Sequence, residues 1–265
     1  MPLREMLIEF SKYQGTGNDF VLLNNLDGRY DFLNHTHIQV ICKRRFGVGA
    51  DGLIRINAKQ GFAFEVDYFN SDGSKSFCGN GARCAVAFAE TLGISVEETC
   101  FDAFDAPHKA WKKGDLVSIE MNNVSKIDKV NQDFVIQTGS PHYIHFEDQM
   151  NQKNIVEFGK SIRYSEPYSN DGINVNLVTC NSLNTIEVQT YERGVENETL
   201  SCGTGVTACA IATAVSQNRY GQLQFNVRVK GGELNVEFHR TGEQKFEQII
   251  LSGPAEYVFN GSIHV

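Results

Sequence analysis

Two cysteines stand in nearly the same short setting: Cys78 opens CGNG and Cys202 opens CGTG. Each leads into an Ala-rich apolar run, ARCAVAFAETLG and VTACAIATAVSQN, that reads as a helix with no polar face until its last turn. A cysteine at a helix start lies where unpaired backbone N–H groups point outward and the helix dipole is positive, which favours a thiolate. The same N–H groups bind a carboxylate, and the glycines let its oxygens come close to the backbone. Two such sites in one chain suit inversion at the α-carbon of an amino acid, in one cleft with a thiol on each wall. One thiolate removes the α-proton, the other thiol returns a proton to the opposite face, and the N–H groups stabilise charge spreading into the carboxylate. A single CGxG is more simply a tight strand-to-helix turn with Cys filling a small space. Two of them at matched places, each after a polar loop, favour the site.

The elements that must position these cysteines also come in pairs. Gly17 in YQGTGNDFVL matches Gly139 in IQTGSPHYI, Gly52 in GADGLI matches Asn174 in GINVNLV, and Glu65 in EVDYFN matches Glu187 in EVQTYE, each at an offset of 122. The cysteines lie 124 apart because the second connecting loop is longer. Four matches in one order imply two homologous halves. The expected fold is α+β, two pseudo-symmetric domains, each a curved, mainly antiparallel sheet or barrel around one central helix. A helix apolar all round has to be enclosed by protein. The expected boundaries are 1–121 with the C-terminal 256–265 for the domain carrying Cys78, and 122–255 for the domain carrying Cys202. SKYQGTGNDFVLLNN reads as strand, glycine turn, strand, and HTHIQVICKRRFG as a short helix. QLQFNVRVKGGELNVEFHR reads as a hairpin turning at its glycine pair, and the final IILSGPAEYVFNGSIHV as a strand pair returning to the first half.

Composition narrows the partners. The chain has 265 residues, 41% of them hydrophobic, and a net charge of −8 from 24 basic and 32 acidic side chains. That balance makes a core affordable and argues against nucleic acid or an anionic membrane as partner, leaving small molecules. Charges interrupt every apolar stretch of MPLREMLIEFSKYQ, where a leader would be unbroken, so the expected location is cytoplasmic. Seven cysteines are an odd number with no zinc-finger spacing, so free thiols are expected. Cys42, Cys84, Cys100, Cys180 and Cys209 are expected to be small buried hydrophobes. GVGADG at Gly47 fits GxGxxG formally, but helix precedes it and strand follows, the reverse of a dinucleotide fingerprint. His35, His37, His108 and His145 are isolated, as are Asp102 and Asp105.

GTGNDF at Gly15, RRFGVGADGL at Arg44, YFNSDGS followed by CGNGARC, GSPHY at Gly139, GINVNLV at Gly172 and YERGVENETLSCGTG at Tyr191 resemble the diaminopimelate epimerase family over essentially the whole chain. The resemblance implies a homodimeric epimerase that needs neither pyridoxal phosphate nor metal and converts LL-2,6-diaminopimelate to the meso form. It makes Cys78 and Cys202 the acid/base pair, with His142 and Glu192 helping to set their protonation. Glu192 and Arg193 would hold the distal amino-acid end. Asn18, Asn70, Ser140 and Asn174 would line the pocket, and Gly79, Asn80, Gly203 and Thr204 would offer backbone N–H groups to the reacting carboxylate. The chain departs from the family pattern at Gln14, Gly52 and Ser140, and its loop from Asn70 to Cys78 is one residue short.

Three other readings compete. A racemase of another amino acid shares the two-thiol logic: proline racemases resemble CGHG in the first motif, and histidine racemases keep both cysteines. Asn80, Glu192 and Arg193 favour diaminopimelate. A redox or metal-binding thiol pair, and a binding protein that has lost catalysis, are the readings outside this class; intact thiols with His142 and Glu192 oppose the last.

Overall fold

A computed structural model of the chain describes residues 6–265; residues 1–5 of the charged N-terminal stretch lie outside the described residues. The fold is α+β. Two compact units emerge, one of residues up to 119 together with 254–265, the other of residues 120–253.

In the first unit, β1 (Leu7–Gly15) turns into β2 (Asn18–Asn25), and α1 (His35–Cys42) leads to β3 (Gly52–Asn57) and β4 (Phe64–Asn70). After α2 (Gly79–Thr91) come β5 (Thr99–Ala103), β6 (His108–Lys113) and β7 (Leu116–Met121). Successive strands pair antiparallel, parallel, antiparallel, parallel, antiparallel and antiparallel. The second unit has β8 (Ile127–Val130), β9 (Asp133–Gln137), β10 (Pro141–Glu147), α3 (Ile155–Arg163), β11 (Asn174–Cys180) and β12 (Thr185–Glu192). The short β13 (Asn197–Thr199), α4 (Gly203–Ser216), β14 (Gly221–Val229), β15 (Gly232–Arg240) and β16 (Phe246–Pro254) complete it. From β9 onward, with β13 set aside, its pairings repeat the same order of directions. Register repeats too: Phe20 faces Gly52 and His142 faces Asn174, both partners offset by 122. The last strand, β17 (Glu256–His264), pairs antiparallel with β1, as β8 does with β9. Chain-terminal residues thus supply in one unit what a local hairpin supplies in the other.

Local chemistry explains the elements. Gly17 and Gly139 sit at matched turns with φ of 85° and 107°, a region where only Gly is free of strain. Asn34 caps α1 and Asn154 caps α3 by accepting from first-turn N–H groups. Buried and outward positions alternate along β15, giving the two faces of the expected hairpin. In α2 every residue from Gly79 to Ala89 is buried, and in α4 every residue from Gly203 to Ala214. The first helix packs on β1, β2, β3, β4, β6 and β17, the second on β9, β10, β11, β12, β14 and β15. Alanine makes that enclosure possible, because its short side chain lets strands approach from all sides.

Two cysteines depart from expectation. Cys42, Cys84 and Cys209 are buried, but Cys100 and Cys180 are exposed. Cys100 lies between buried Thr99 and Phe101 on β5, so strand alternation turns it outward, and Cys180 ends β11. No described helix is long and apolar enough to cross a membrane.

Candidate active site

Both cysteines occupy the N-cap position of their helix with almost the same backbone, φ −131° and ψ 111° for Cys78, φ −131° and ψ 108° for Cys202. The extended conformation carries each sulfur to the mouth of the helix, where the first-turn N–H groups are unpaired within the helix. A negative charge there gains roughly 0.3–1 kcal/mol from the dipole when exposed, more when partly buried. The side-chain environments of the two sulfurs differ.

Around Cys78, the sulfur accepts from the Gly81 N–H at 3.4 Å and lies 3.7 Å from Asn18 Oδ1. Asn18 Oδ1 also receives the Asn80 side-chain amide at 3.4 Å, while Asn18 Nδ2 donates to Asp51. Asp51 is held in turn by Arg44, which bonds Asp19 as well. That carboxylate fixes which end of the Asn18 amide faces the thiol, because a carboxylate accepts only from the nitrogen end. Asn70 is engaged by its own loop: it donates to Ser74 Oγ at 3.0 Å and Ser76 Oγ at 3.2 Å and accepts from Tyr68 at 2.9 Å. Gly52 explains part of this. A Cβ there would lie 2.4 Å from the Tyr68 ring, so the tyrosine that anchors Asn70 fills the space a longer residue would need.

Beneath the same helix start lies Arg83, fully buried at 0% exposure. It donates to Thr16 and Asn80 at 3.0 Å each and to the Pro254 carbonyl at 3.4 Å, and its Nη1 finds no partner. Burial pulls its pKa down to about 10, while Cys84 and Cys78 act on it in the opposite sense. No carboxylate is among its bonded partners, so the charge is uncompensated. Arg83→Met is expected to lower folding stability by about 1 kcal/mol, because relief of the costly buried charge is outweighed by leaving the Thr16, Asn80 and Pro254 acceptors unsatisfied. Turnover at this site should fall about tenfold, because Asn80 loses its anchor and Cys78 its nearby cation. Thermal unfolding and initial rates on the same preparation check both signs together.

Around Cys202, which is 9% exposed, the sulfur lies 3.5 Å from Thr204 Oγ1. Thr204 Oγ1 is 2.9 Å from His142 Nε2, and His142 is 0% exposed. Burial first, and the nearby Arg193 charge second, push the His142 pKa down to about 3. The ring is neutral at ordinary pH. Asn174 binds the Arg193 backbone N–H at 2.8 Å and places its amide nitrogen 3.5 Å from His142 Nε2. Arg193 Nη1 donates to the Asp171 carbonyl at 2.7 Å. Glu192 ends β12 and Ser140 sits half-buried in the turn before β10. Gly203 opens α4, as Gly79 opens α2.

In the first unit the structure therefore brings together Asn18, Asn80 and Cys78, and in the second His142, Asn174, Thr204 and Cys202. Sequence reading missed Asp51, Arg83, Asn176 and Thr190. Arg83 was signalled by a lone charge in a run otherwise apolar all round, and Asn176 by its place two residues after Asn174, on the same face of β11.

Comparison with known proteins places this geometry. The family model described as diaminopimelate epimerase matches residues 10–106 and 134–258. A diaminopimelate epimerase of Flavobacterium psychrophilum is 43% identical over 95% of this chain and 98% of its own length. One of Aquifex aeolicus is 37% identical over 97% and 98%. Among solved structures, a Bacillus anthracis phenazine biosynthesis protein of the PhzF family aligns with a TM-score of 0.76 at 12% identity, covering 98% of this chain and 100% of that one. A hydroxyproline epimerase from Agrobacterium vitis aligns at 0.71, also at 12%, covering 100% and 94%. These structural likenesses speak for the fold alone. The sequence relatives carry more: with a family model spanning both halves and relatives alike from end to end, the chain belongs to the diaminopimelate epimerase family.

Proposed function

We propose that this protein is an isomerase that interconverts LL-2,6-diaminopimelate and meso-2,6-diaminopimelate, a step of lysine and peptidoglycan precursor synthesis, with Cys78 and Cys202 as its two bases and no cofactor. The observation that carries the reading is the matched pair of N-cap cysteines, one per half, in a chain of this family. One cysteine as thiolate takes the α-proton. The other, as thiol, protonates the planar carbanion from the opposite side, so the configuration inverts and the two cysteines exchange protonation states. First-turn N–H groups at Gly79, Asn80, Gly203 and Thr204 hold the α-carboxylate and stabilise the charge that flows into it. Neutral His142 orients hydroxyl and amide groups around Cys202, Glu192 helps set the protonation of the pair, and the distal amino-acid end falls to Arg193 and Glu192. Asn18 and Asn70 of the first half and Ser140 and Asn174 of the second are assigned to substrate binding. The family resemblance extends the proposal to a cytoplasmic homodimer.

The test is to incubate chelator-treated, reduced protein with diaminopimelate in D2O and follow the α-proton by NMR. Deuterium incorporation with inversion is expected, and alkylation of the thiols should stop it. Incorporation with histidine or another amino acid but not with diaminopimelate would overturn the substrate and leave a racemase of the same class.

A further inference from the structure

The hydrogen-bond polarity around His142 follows from its shortest contact with a group of fixed polarity, starting from a backbone carbonyl. The Tyr143 carbonyl only accepts, so the Asn176 atom 3.1 Å from it is the amide nitrogen. The Asn176 oxygen correspondingly accepts from Thr190 Oγ1 at 2.9 Å. The same Asn176 nitrogen lies 3.1 Å from His142 Nδ1. Two donors cannot share a hydrogen bond; the Asn174 nitrogen faces Nε2 only at 3.5 Å, so the shorter Asn176 contact decides, and Nδ1 of the neutral ring carries the lone pair while Nε2 carries the hydrogen. Nε2–H then donates to Thr204 Oγ1 at 2.9 Å. With its oxygen accepting from the histidine, Thr204 has its own hydroxyl hydrogen to direct at the Cys202 sulfur, 3.5 Å away. Asn176 and Thr204 are 0% and 8% exposed, so water does not readily substitute for these bonds.

We infer that Asn176 is a positioning residue for catalysis: by fixing His142 as its Nε2–H form it makes the Thr204 hydroxyl a donor to Cys202, and so stabilises that cysteine as a thiolate. The inference rests on the two-thiol reading above but is tested without turnover. Were Asn176 to lose its hold, the ring could take up the Nδ1–H form. Nε2 would then accept the Thr204 hydrogen, and the sulfur would lose the Thr204 donor. Cys78 has different supports, the Gly81 N–H and the buried Arg83 charge, and so serves as an internal control.

The ionisable neighbours act in other ways. Cys209 on α4 is pushed well up by burial and stays a thiol. Arg193, which follows β12, opposes a proton on His142 and keeps the ring neutral. Glu192 closes β12 as a carboxylate bearing no donor when ionised. The steric frame is tight as well: a Cβ on Gly205 would come within 2.8 Å of Asn176 Oδ1 and 3.2 Å of His142 Cε1, so the first turn of α4 allows the amide and ring little freedom.

The experiment is alkylation of the reduced protein by iodoacetamide across a range of pH, with Cys78 and Cys202 followed separately by peptide mass mapping. The midpoint reads ionisation, whereas the plateau reads access. Asn176→Leu and Thr204→Val should each move the Cys202 midpoint up by about one pH unit, equivalent to about tenfold slower modification near neutrality. Cys78 should keep its profile, and Thr204→Ser should keep the wild-type profile at both cysteines. In the wild-type protein, 15N NMR should find His142 as the Nε2–H form. An unchanged Cys202 midpoint in Thr204→Val, an equal shift at Cys78, or the Nδ1–H form of His142 would overturn the inference. Because Thr204→Val leaves β11 untouched, it decides the matter even if Asn176→Leu fails to fold. Failure of the diaminopimelate reading shows only in the exchange experiment, so the two are separable.

Discussion

Replacing Cys78 by Ala is expected to lower epimerisation by about 10^2–10^4-fold while leaving one half of the chemistry alive. A positioned general acid or base contributes about 10^2–10^4 to a proton transfer, and inversion at carbon needs one group on each face. In the variant, Cys202 still stands at its helix mouth beside the Thr204 hydroxyl. It can remove the α-proton of one stereoisomer, but no thiol waits on the other side. The carbanion is reprotonated where it was deprotonated, so one configuration should exchange its α-proton in D2O with retention. Cys202→Ala should show the mirror behaviour, exchanging the opposite configuration. Chiral chromatography measures inversion, and NMR of the α-proton measures exchange on the same sample. Full inversion surviving in either variant would sink the two-base mechanism.

The second large effect is on stability. His142 has its pKa held at about 3 by burial, against an ordinary value near 6.5. The unfolded chain takes up a proton at this residue as pH falls through about 6.5, and the folded protein does not until about 3. Stability associated with neutral His142 is therefore fully present above pH 6.5 and is lost progressively between there and pH 3. At pH 4 the loss reaches about 3 kcal/mol, from about 1.4 kcal/mol for each unit. Carboxylates elsewhere contribute to acid lability as well, but they do so equally in His142→Gln. Urea unfolding at pH 7 and pH 4 should show the wild type losing about 3 kcal/mol more than the variant. Parallel losses in the two proteins would show that His142 titrates normally.

Much of the fold could be read from the chain because the duplication is written at near-constant spacing. The offset of 122 that aligned Gly52 with Asn174 reappears as strand register, with Phe20 and His142 facing those residues in their own units. The two enclosed helices were readable from the width of their apolar surface, and the cysteines from their place at the helix starts. The polar supports were not. Asp51 acts through Asn18, and Thr190 through Asn176 and then His142, so their purpose lies in contacts 14 to 34 residues along the chain that no local period encodes. Arg83 left a signal, its lone charge, but one open to a second reading. A single charge in an Ala-rich run reads as the solvated edge of a helix, and only the closure of strands around α2 reveals that it is buried. Cys100 and Cys180 were misplaced because cysteine suits either face of a strand, and only pairing decides which face is covered.

Arg83 has a counterpart, and the comparison has a consequence for how such a protein can change. Five residues into the first half's motif stands a buried guanidinium; five residues into the second stands Thr207, whose hydroxyl merely closes back on the Gly203 carbonyl at 3.0 Å. In an assembly of two identical copies, any substitution beside one thiol would appear beside the other. Two copies fused in one chain can mutate independently. One half is then free to acquire a fixed charge and the other a histidine-directed hydroxyl, so inheritance itself, and not only chemistry, permits the surroundings of the two thiols to differ.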